Sequence, residues 1–93
     1  MDKRLKPLVD PYAESRERDA VYLRLKNGEL PIGQAIRAFR KLSRLTQPEF
    51  AEHRGISLDS LRALESGKGN PTIETINKVV SIFGLHVGLV PKR

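Results

Sequence analysis

The sequence contains no cysteine and no tryptophan, and aromatic residues make up only 5% of its 93 positions. Without cysteine, neither disulfides nor thiolate metal sites can form, and the two histidines, His53 and His86, stand far apart without a metal-binding motif. We therefore expect no metal site and no cofactor. The scarcity of aromatic residues predicts an aliphatic core of Leu, Ile, Val and Ala with a few Phe.

Long apolar runs are also missing. No stretch approaches the roughly 20 apolar residues that a bilayer-spanning helix needs, and residues 1–7 carry charges instead of the apolar stretch of a signal peptide. We expect a cytoplasmic protein with no membrane partner. Phosphate-binding loop, HExxH and GxSxG motifs are absent from the sequence, so we expect no enzymatic activity.

Positive charge is in excess and unevenly distributed. The formal net charge is +6; residues 1–31 hold seven Lys/Arg and six Asp/Glu, whereas residues 32–93 hold ten and five. A small, strongly basic domain favours a polyanionic partner, usually nucleic acid. A basic surface that serves only solubility is the alternative, and charge alone does not decide between them.

The first 30 residues predict a basic tail, at 1–9, followed by a helix. Asp10-Pro11 is a helix-start signal and Asn27-Gly28 a stop signal. Val21, Leu23 and Leu25 alternate as they would in a strand, so the strand alternative stays open, although we favour a helix over 12–26. The role of residues 1–30 is not predicted.

Clear helical signals begin at Pro31. Apolar residues recur at helical spacing over 31–44, and Thr46 with Glu49 forms a capping-box pattern that starts a second helix over 47–54. Ser57 is a good N-cap for a third helix, 58–66, and Thr72 for a fourth, 73–83. The glycines that end these helices are Gly55, Gly67 and Gly84.

Residues 85–90 alternate, with Leu85, Val87 and Leu89 on one side, which is typical of a strand. A lone strand can satisfy neither its backbone groups nor its apolar row, so it needs a partner strand. We predict that residues 85–93 pair with the same segment of a second chain, which makes the protein a homodimer. Residues 31–84 then form the domain itself.

The two short helices 47–54 and 58–66 are joined at Gly55-Ile56-Ser57, a helix-turn-helix layout. Over about 32–83, the sequence resembles the Cro and phage-repressor class of helix-turn-helix proteins, the XRE family. Seven residues carry the resemblance by their types and spacing: Gln47, Ala51, Gly55, Ile56, Leu61, Glu65 and Gly67. The segment Phe83 to Pro91 resembles the end of HipB-like antitoxins. The resemblance implies an all-α, lambda-repressor-like domain of four to five helices with a C-terminal strand that pairs across a dimer.

The resemblance also implies a DNA-reading surface on the third helix. Five residues match the exposed recognition positions of the family: Ser57, Leu58, Asp59, Arg62 and Ala63. Arg62 is the best candidate base reader because a guanidinium can address guanine O6 and N7 with two hydrogen bonds; a phosphate contact or a solvated charge is the alternative. For Leu58 and Asp59 the alternative is an ordinary helix-start residue. Ala63 departs from the longer polar side chain frequent in the family.

Other residues are expected to bind phosphate or to stabilise the domain. Gln47 stands at a helix N-terminus, which favours an anion, and Lys68 and Asn70 match the family's phosphate contacts. Arg44 and Arg54 are weaker candidates, for which a solvated position is an equal alternative. The resemblance implies a buried salt bridge between Arg40 and Glu65.

The expected function is a dimeric repressor that reads a pseudo-palindromic operator in double-stranded DNA. The alternative is an antitoxin that holds a protein toxin, such as a HipA-like kinase, inactive and represses its own operon. RNA binding is disfavoured because exposed aromatic residues are lacking. The operator and any small-molecule effector are not predicted, and repression instead of activation is implied by the family resemblance alone.

Overall fold

The computed structural model describes residues 13–91, with side chains from residue 15 onward. This part of the chain forms five α-helices, one short 3-10 helix and no strand: α1 Ala13–Lys26, α2 Ile32–Leu42, α3 Gln47–Arg54, α4 Leu58–Ser66, α5 Ile73–Val80 and the 3-10 helix Ser81–Phe83. The predicted all-helical domain is confirmed. The predicted tail at 1–9 and the helix start at Asp10-Pro11 lie outside the described residues.

One apolar core lies between α2, α3, α4 and α5. Burial of its side chains, each contributing roughly 1.5–3 kcal/mol for a large aliphatic or aromatic residue, holds these helices together. The predicted helical periodicity put these positions on the inward faces. The core residues are Ile36, Phe50, Ala51, Leu61, Leu64, Ile76, Val79 and Val80.

The helix bounds follow the sequence signals closely. Thr46 accepts from the Glu49 N–H while the Glu49 carboxylate accepts from the Thr46 N–H, which is the predicted capping box. Helix α2 ends at Leu42, earlier than predicted, and Arg44 beyond it takes a left-handed φ of 61°. The fourth predicted helix is divided, because α5 tightens into the 3-10 helix after Val80 before Gly84 ends it at φ 75°.

Helix α1 resolves the open choice between helix and strand. Val21, Tyr22 and Leu25 are half-buried on its inner side, whereas Leu23 is 57% exposed. The Tyr22 ring packs against Phe39 with centroids 5.1 Å apart, and the Tyr22 hydroxyl donates to the Phe83 carbonyl. The strand-like alternation was misleading because one member of the row, Leu23, faces solvent and Tyr22 takes its place.

The predicted C-terminal strand is not present in the described residues, and residues 85–91 have no regular secondary structure. Leu85 and Val87 pack against the core of their own domain, and the Val87 N–H donates to Asn77 Oδ1 at 2.7 Å. Leu89, the third residue of the predicted row, is fully exposed. The alternation therefore reflects partial burial on the chain's own core, which needs no second strand for Leu85 and Val87.

No helix within residues 13–91 is both long enough and apolar enough to cross a membrane.

Candidate nucleic-acid interface

Helices α3 and α4 form the corner on which the candidate interface is built. Gly55 closes α3 in the left-handed region at φ 70°, where a residue without a Cβ carries no steric cost. The Ile56 N–H returns to the Ala51 carbonyl at 3.0 Å, and the Ile56 side chain packs against the core. Ser57 then starts α4, its Oγ accepting from the Ser60 N–H at 3.0 Å. Caps on both sides of a three-residue turn fix where each helix begins and ends.

One side of α4 is buried and the other is open. Leu61 and Leu64 are in the core, and the opposite side carries a surface that we call the reading face: Ser57, Leu58, Asp59, Arg62 and Ala63. Leu58 and Ala63 are half-buried and the other three are exposed. Residues three and four apart are neighbours on a helix, so these side chains form one continuous surface.

Arg62 is the only long cation on the reading face. Its side chain is exposed and makes no hydrogen bond or ion pair with any other described residue. Ser60, which sequence reasoning did not single out, lies beside this surface, and its hydroxyl accepts from the Ser57 hydroxyl at 2.9 Å. A free guanidinium beside hydroxyl groups can form directional hydrogen bonds with a ligand that has acceptors, such as a base edge or a phosphate.

The C-terminal turn of α4 is tied to α2 by an ion pair. Arg40 donates to Glu65 through Nε to Oε2 at 2.6 Å and through Nη2 to Oε1 at 3.0 Å. Both side chains are removed from solvent, with 11% of Arg40 and 4% of Glu65 exposed. Arg40 Nη1 also donates to the Leu45 carbonyl at 2.9 Å, so the guanidinium joins α2, the turn before α3, and α4.

The Gln47 side-chain amide forms a hydrogen bond within the domain, and its predicted contact with phosphate stays a prediction. Its Nε2 donates to Glu65 Oε1 at 3.0 Å, and the side chain is half-buried. The residue still begins α3, where the backbone dipole favours an anion. The sequence indicated the position of Gln47 on the helix but not this partner, which lies 18 residues further along the chain.

The remaining candidate phosphate contacts lie at or just after the ends of α2, α3 and α4. Lys68 and Asn70 are exposed in the loop after α4, where the Lys68 N–H donates to the Ala63 carbonyl at 2.9 Å. Arg44 is exposed after α2. Arg54 instead donates to the Lys78 carbonyl at 2.9 Å, while Lys78 Nζ donates to the Gly55 carbonyl at 3.1 Å. Arg54 therefore stabilises the packing of the end of α3 against α5.

Gly33 is a residue that sequence reasoning missed. It is buried in the first turn of α2, and a Cβ placed there would lie 2.4 Å from the Leu64 carbonyl oxygen and 2.9 Å from that of Glu65. The backbone of α2 thus approaches the end of α4 more closely than any side chain permits. A glycine inside an apolar helical pattern was the available signal, because such a glycine usually has a packing reason.

Comparison with known proteins identifies the family. The model of a family described as "Helix-turn-helix" matches residues 36–90, more than half of the chain. The chain therefore belongs to this helix-turn-helix family, and the predicted XRE-type resemblance is confirmed at that level, whereas the HipB-like resemblance of the C-terminal residues is not supported. Helix α1 and the first turn of α2, including Gly33, lie outside the matched region.

Two relatives have related descriptions. The chain is 33% identical over 61 residues to the immunity repressor protein of Bacillus phage phi105, a match covering 66% of this chain and 42% of that protein. It is 31% identical over 52 residues to an uncharacterised HTH-type transcriptional regulator of Methanocaldococcus jannaschii, covering 56% of this chain and 79% of that protein. The chain thus spans less than half the length of the phage repressor. No solved structure matches it significantly.

Proposed function

We propose that this chain is a sequence-specific DNA-binding repressor that reads an operator through the reading face of α4. The observation that carries the proposal is Arg62, exposed and without a partner among residues 13–91, on a helix whose other side is packed in the core. Membership of the helix-turn-helix family supports DNA as the ligand. The function is a binding function and involves no catalytic step.

The proposed docking places α4 in the major groove. That groove is about 12 Å wide, which admits a helix of roughly 10–12 Å diameter. Arg62 then addresses a guanine with two hydrogen bonds, and Leu58 and Ala63 offer apolar contact to thymine methyl groups. Asp59 and Ser57 complete the surface, and the Asp59 carboxylate can accept a hydrogen bond from a cytosine amino group.

Phosphate contacts set the register of the domain on DNA without reading sequence. Lys68 and Asn70 follow α4 and are exposed, and Arg44 is exposed after α2. The N-terminus of α3 at Gln47 contributes backbone dipole. The excess of basic residues in 32–93 supports this arrangement, because each neutralised phosphate releases counterions and strengthens binding at low salt.

Repression is the proposed direction of regulation. The phage relative is described as an immunity repressor, and a domain that occupies a promoter blocks transcription there. The antitoxin alternative depends on the HipB-like resemblance of the C-terminal residues alone. Neither relative is described in those terms, so we do not propose it.

Binding to DNA tests the proposal. We expect the wild type to prefer its gene's own upstream DNA over scrambled DNA by about 10³-fold or more. Arg62→Ala is expected to lose most of this preference, because a bidentate arginine–guanine contact is worth about 1–3 kcal/mol, with the salt dependence little changed. Arg24→Ala, which removes an exposed arginine from α1, is the matched control and should behave as wild type.

Two outcomes would contradict this. If the wild type binds both DNAs equally weakly, the proposal that it recognises an operator sequence is wrong. A fall of the same factor on both DNAs for Arg62→Ala, with a smaller salt slope, makes Arg62 a phosphate contact.

The proposed repressor binds as a dimer joined through its C-terminal residues. Leu89 is 102% exposed and Val90 84% exposed in the single chain, so both apolar side chains are available for contact with a second chain. Two copies related by a two-fold axis place two copies of α4 one turn of DNA apart, about 34 Å, and so read a pseudo-palindrome.

Leu89→Lys is expected to convert the dimer to a monomer in sedimentation without lowering the melting temperature of the single domain, because the Leu89 side chain is fully exposed there. Leu23→Lys is the control, since Leu23 is a half-exposed leucine on α1, 57% exposed. Retention of the dimer by Leu89→Lys, or its loss in Leu23→Lys, would place the interface elsewhere.

A further inference from the structure

Gln47 and Glu65 close the helix-turn-helix corner at its open end. Gln47 is the first residue of α3 and Glu65 lies in the last turn of α4, and the turn at Gly55 joins the other ends of these helices. The hydrogen bond from Gln47 Nε2 to Glu65 Oε1, at 3.0 Å, is therefore a second connection between the same two helices. The shared apolar core holds α3 and α4 together, and this hydrogen bond adds a directional contact at the helix ends remote from the turn.

A small change in the angle between α3 and α4 is large at the reading face. Helix α3 has eight residues, so it is about 12 Å long. A rotation of about 10° between α3 and α4 around the turn moves the far ends roughly 2 Å apart. It moves Arg62, which lies nearer the turn, by roughly 1 Å, which is still beyond the ~0.5 Å tolerance of a positioned recognition site. Base contacts are directional and short-range, so they lose more from such a displacement than phosphate contacts do.

The chemistry of the buried carboxylate explains why the connection uses an amide. Glu65 is 4% exposed and must have its oxygens hydrogen-bonded. Arg40 already neutralises its charge, so a further donor should be neutral. The Gln47 amide is such a donor, and its hydrogen bond to a charged acceptor is stronger than one to a neutral acceptor.

We propose that Gln47 is a positioning residue for sequence reading, acting on the reading face through Glu65 and not through a contact of its own side chain with phosphate. This rests on the proposed function, because it concerns how the same surface reads DNA. In the proposed docking, the N-terminal backbone of α3 still faces the phosphates, whereas the Gln47 side chain binds Glu65 inside the corner.

The test uses Gln47→Met, which keeps the length of the side chain and removes the donor. We expect its affinity for the gene's own upstream DNA to fall about 10-fold while its affinity for scrambled DNA is unchanged, so that the ratio of the two falls. Gln34→Met is the matched control, because Gln34 is exposed on α2 and belongs to no contact described for Glu65. Circular dichroism at the assay temperature establishes that each variant is folded.

Gln47→Glu is measured beside it, so that the result does not depend on one variant. A carboxylate at this position faces Glu65 without a donor, and we expect a larger loss of preference than in Gln47→Met. An equal fall on both DNAs would assign the side chain to phosphate and overturn the inference, as would an unchanged ratio in both variants. A wild type without preference would instead overturn the proposed function, and the inference with it.

Discussion

Glu65→Ala is expected to destabilise the domain by about 3–5 kcal/mol, because it leaves the Arg40 guanidinium inside the protein without its counter-ion. Arg40 is only 11% exposed, and both of its hydrogen bonds to Glu65 would be lost while the one to Leu45 remains. A domain of this size has a total stability of roughly 4–12 kcal/mol. The substitution therefore removes a large part of it.

Thermal unfolding followed by circular dichroism measures this effect. Because a domain of 60–100 residues loses about 4–8 °C of melting temperature for each kcal/mol, a fall of at least 12 °C is expected. Glu52→Ala is the matched control, since Glu52 is exposed on α3, and it should melt within a few degrees of the wild type. A Glu65→Ala variant with the wild-type melting temperature would show that the ion pair contributes nothing.

Local chemistry made the helix-turn-helix corner predictable from sequence. Thr46, Ser57 and Thr72 each accept from a backbone N–H three residues later, so each fixes a helix start by contacts inside one turn. Gly55 and Gly67 end helices in left-handed conformations that other residues adopt only at a cost. Signals of this kind act over four or five residues, and a single sequence contains them completely.

What the sequence did not reveal depends on distant partners. Tyr22 is drawn to the inner side of α1 by Phe39 and by the Phe83 carbonyl, which is 61 residues away. Leu85 and Val87 alternate like a strand, but the core of the domain covers them. Such choices are decided by tertiary packing, which overrides local propensity and periodicity.

In the candidate site, too, features set by local spacing were predictable and contacts with distant residues were not. The exposure of Arg62 follows from the helical spacing of Leu61 and Leu64, which the sequence displays directly. The partner of Gln47 does not follow from spacing, because a helix N-terminus accommodates an outward or an inward side chain equally well. Position along a helix was predictable, and the direction of a long flexible side chain was not.

Gly33→Ala is expected to be strongly destabilising although it replaces glycine by the best helix former. The new Cβ would lie 2.4 Å from the Leu64 carbonyl oxygen and 2.9 Å from that of Glu65, and both are backbone atoms of α4 that cannot rotate away. Helices α2 and α4 must then separate, which strains the Arg40–Glu65 ion pair that joins the same two helices. Overpacking of this kind costs typically 1–3 kcal/mol.

The direction in which Gly33→Ala changes the melting temperature distinguishes an effect on helix packing from an effect of helix propensity. If propensity governed, alanine at Gly33 would stabilise the helix by up to about 1 kcal/mol and raise the melting temperature. We expect the melting temperature to fall by about 10 °C. Gly88→Ala is the control, because its Cβ would have no atom of residues 13–91 within 4 Å, and it should leave the melting temperature unchanged. A rise for Gly33→Ala would mean that α2 and α4 can accommodate a methyl group between them, and that the close approach of their backbones is not required for the position of α4.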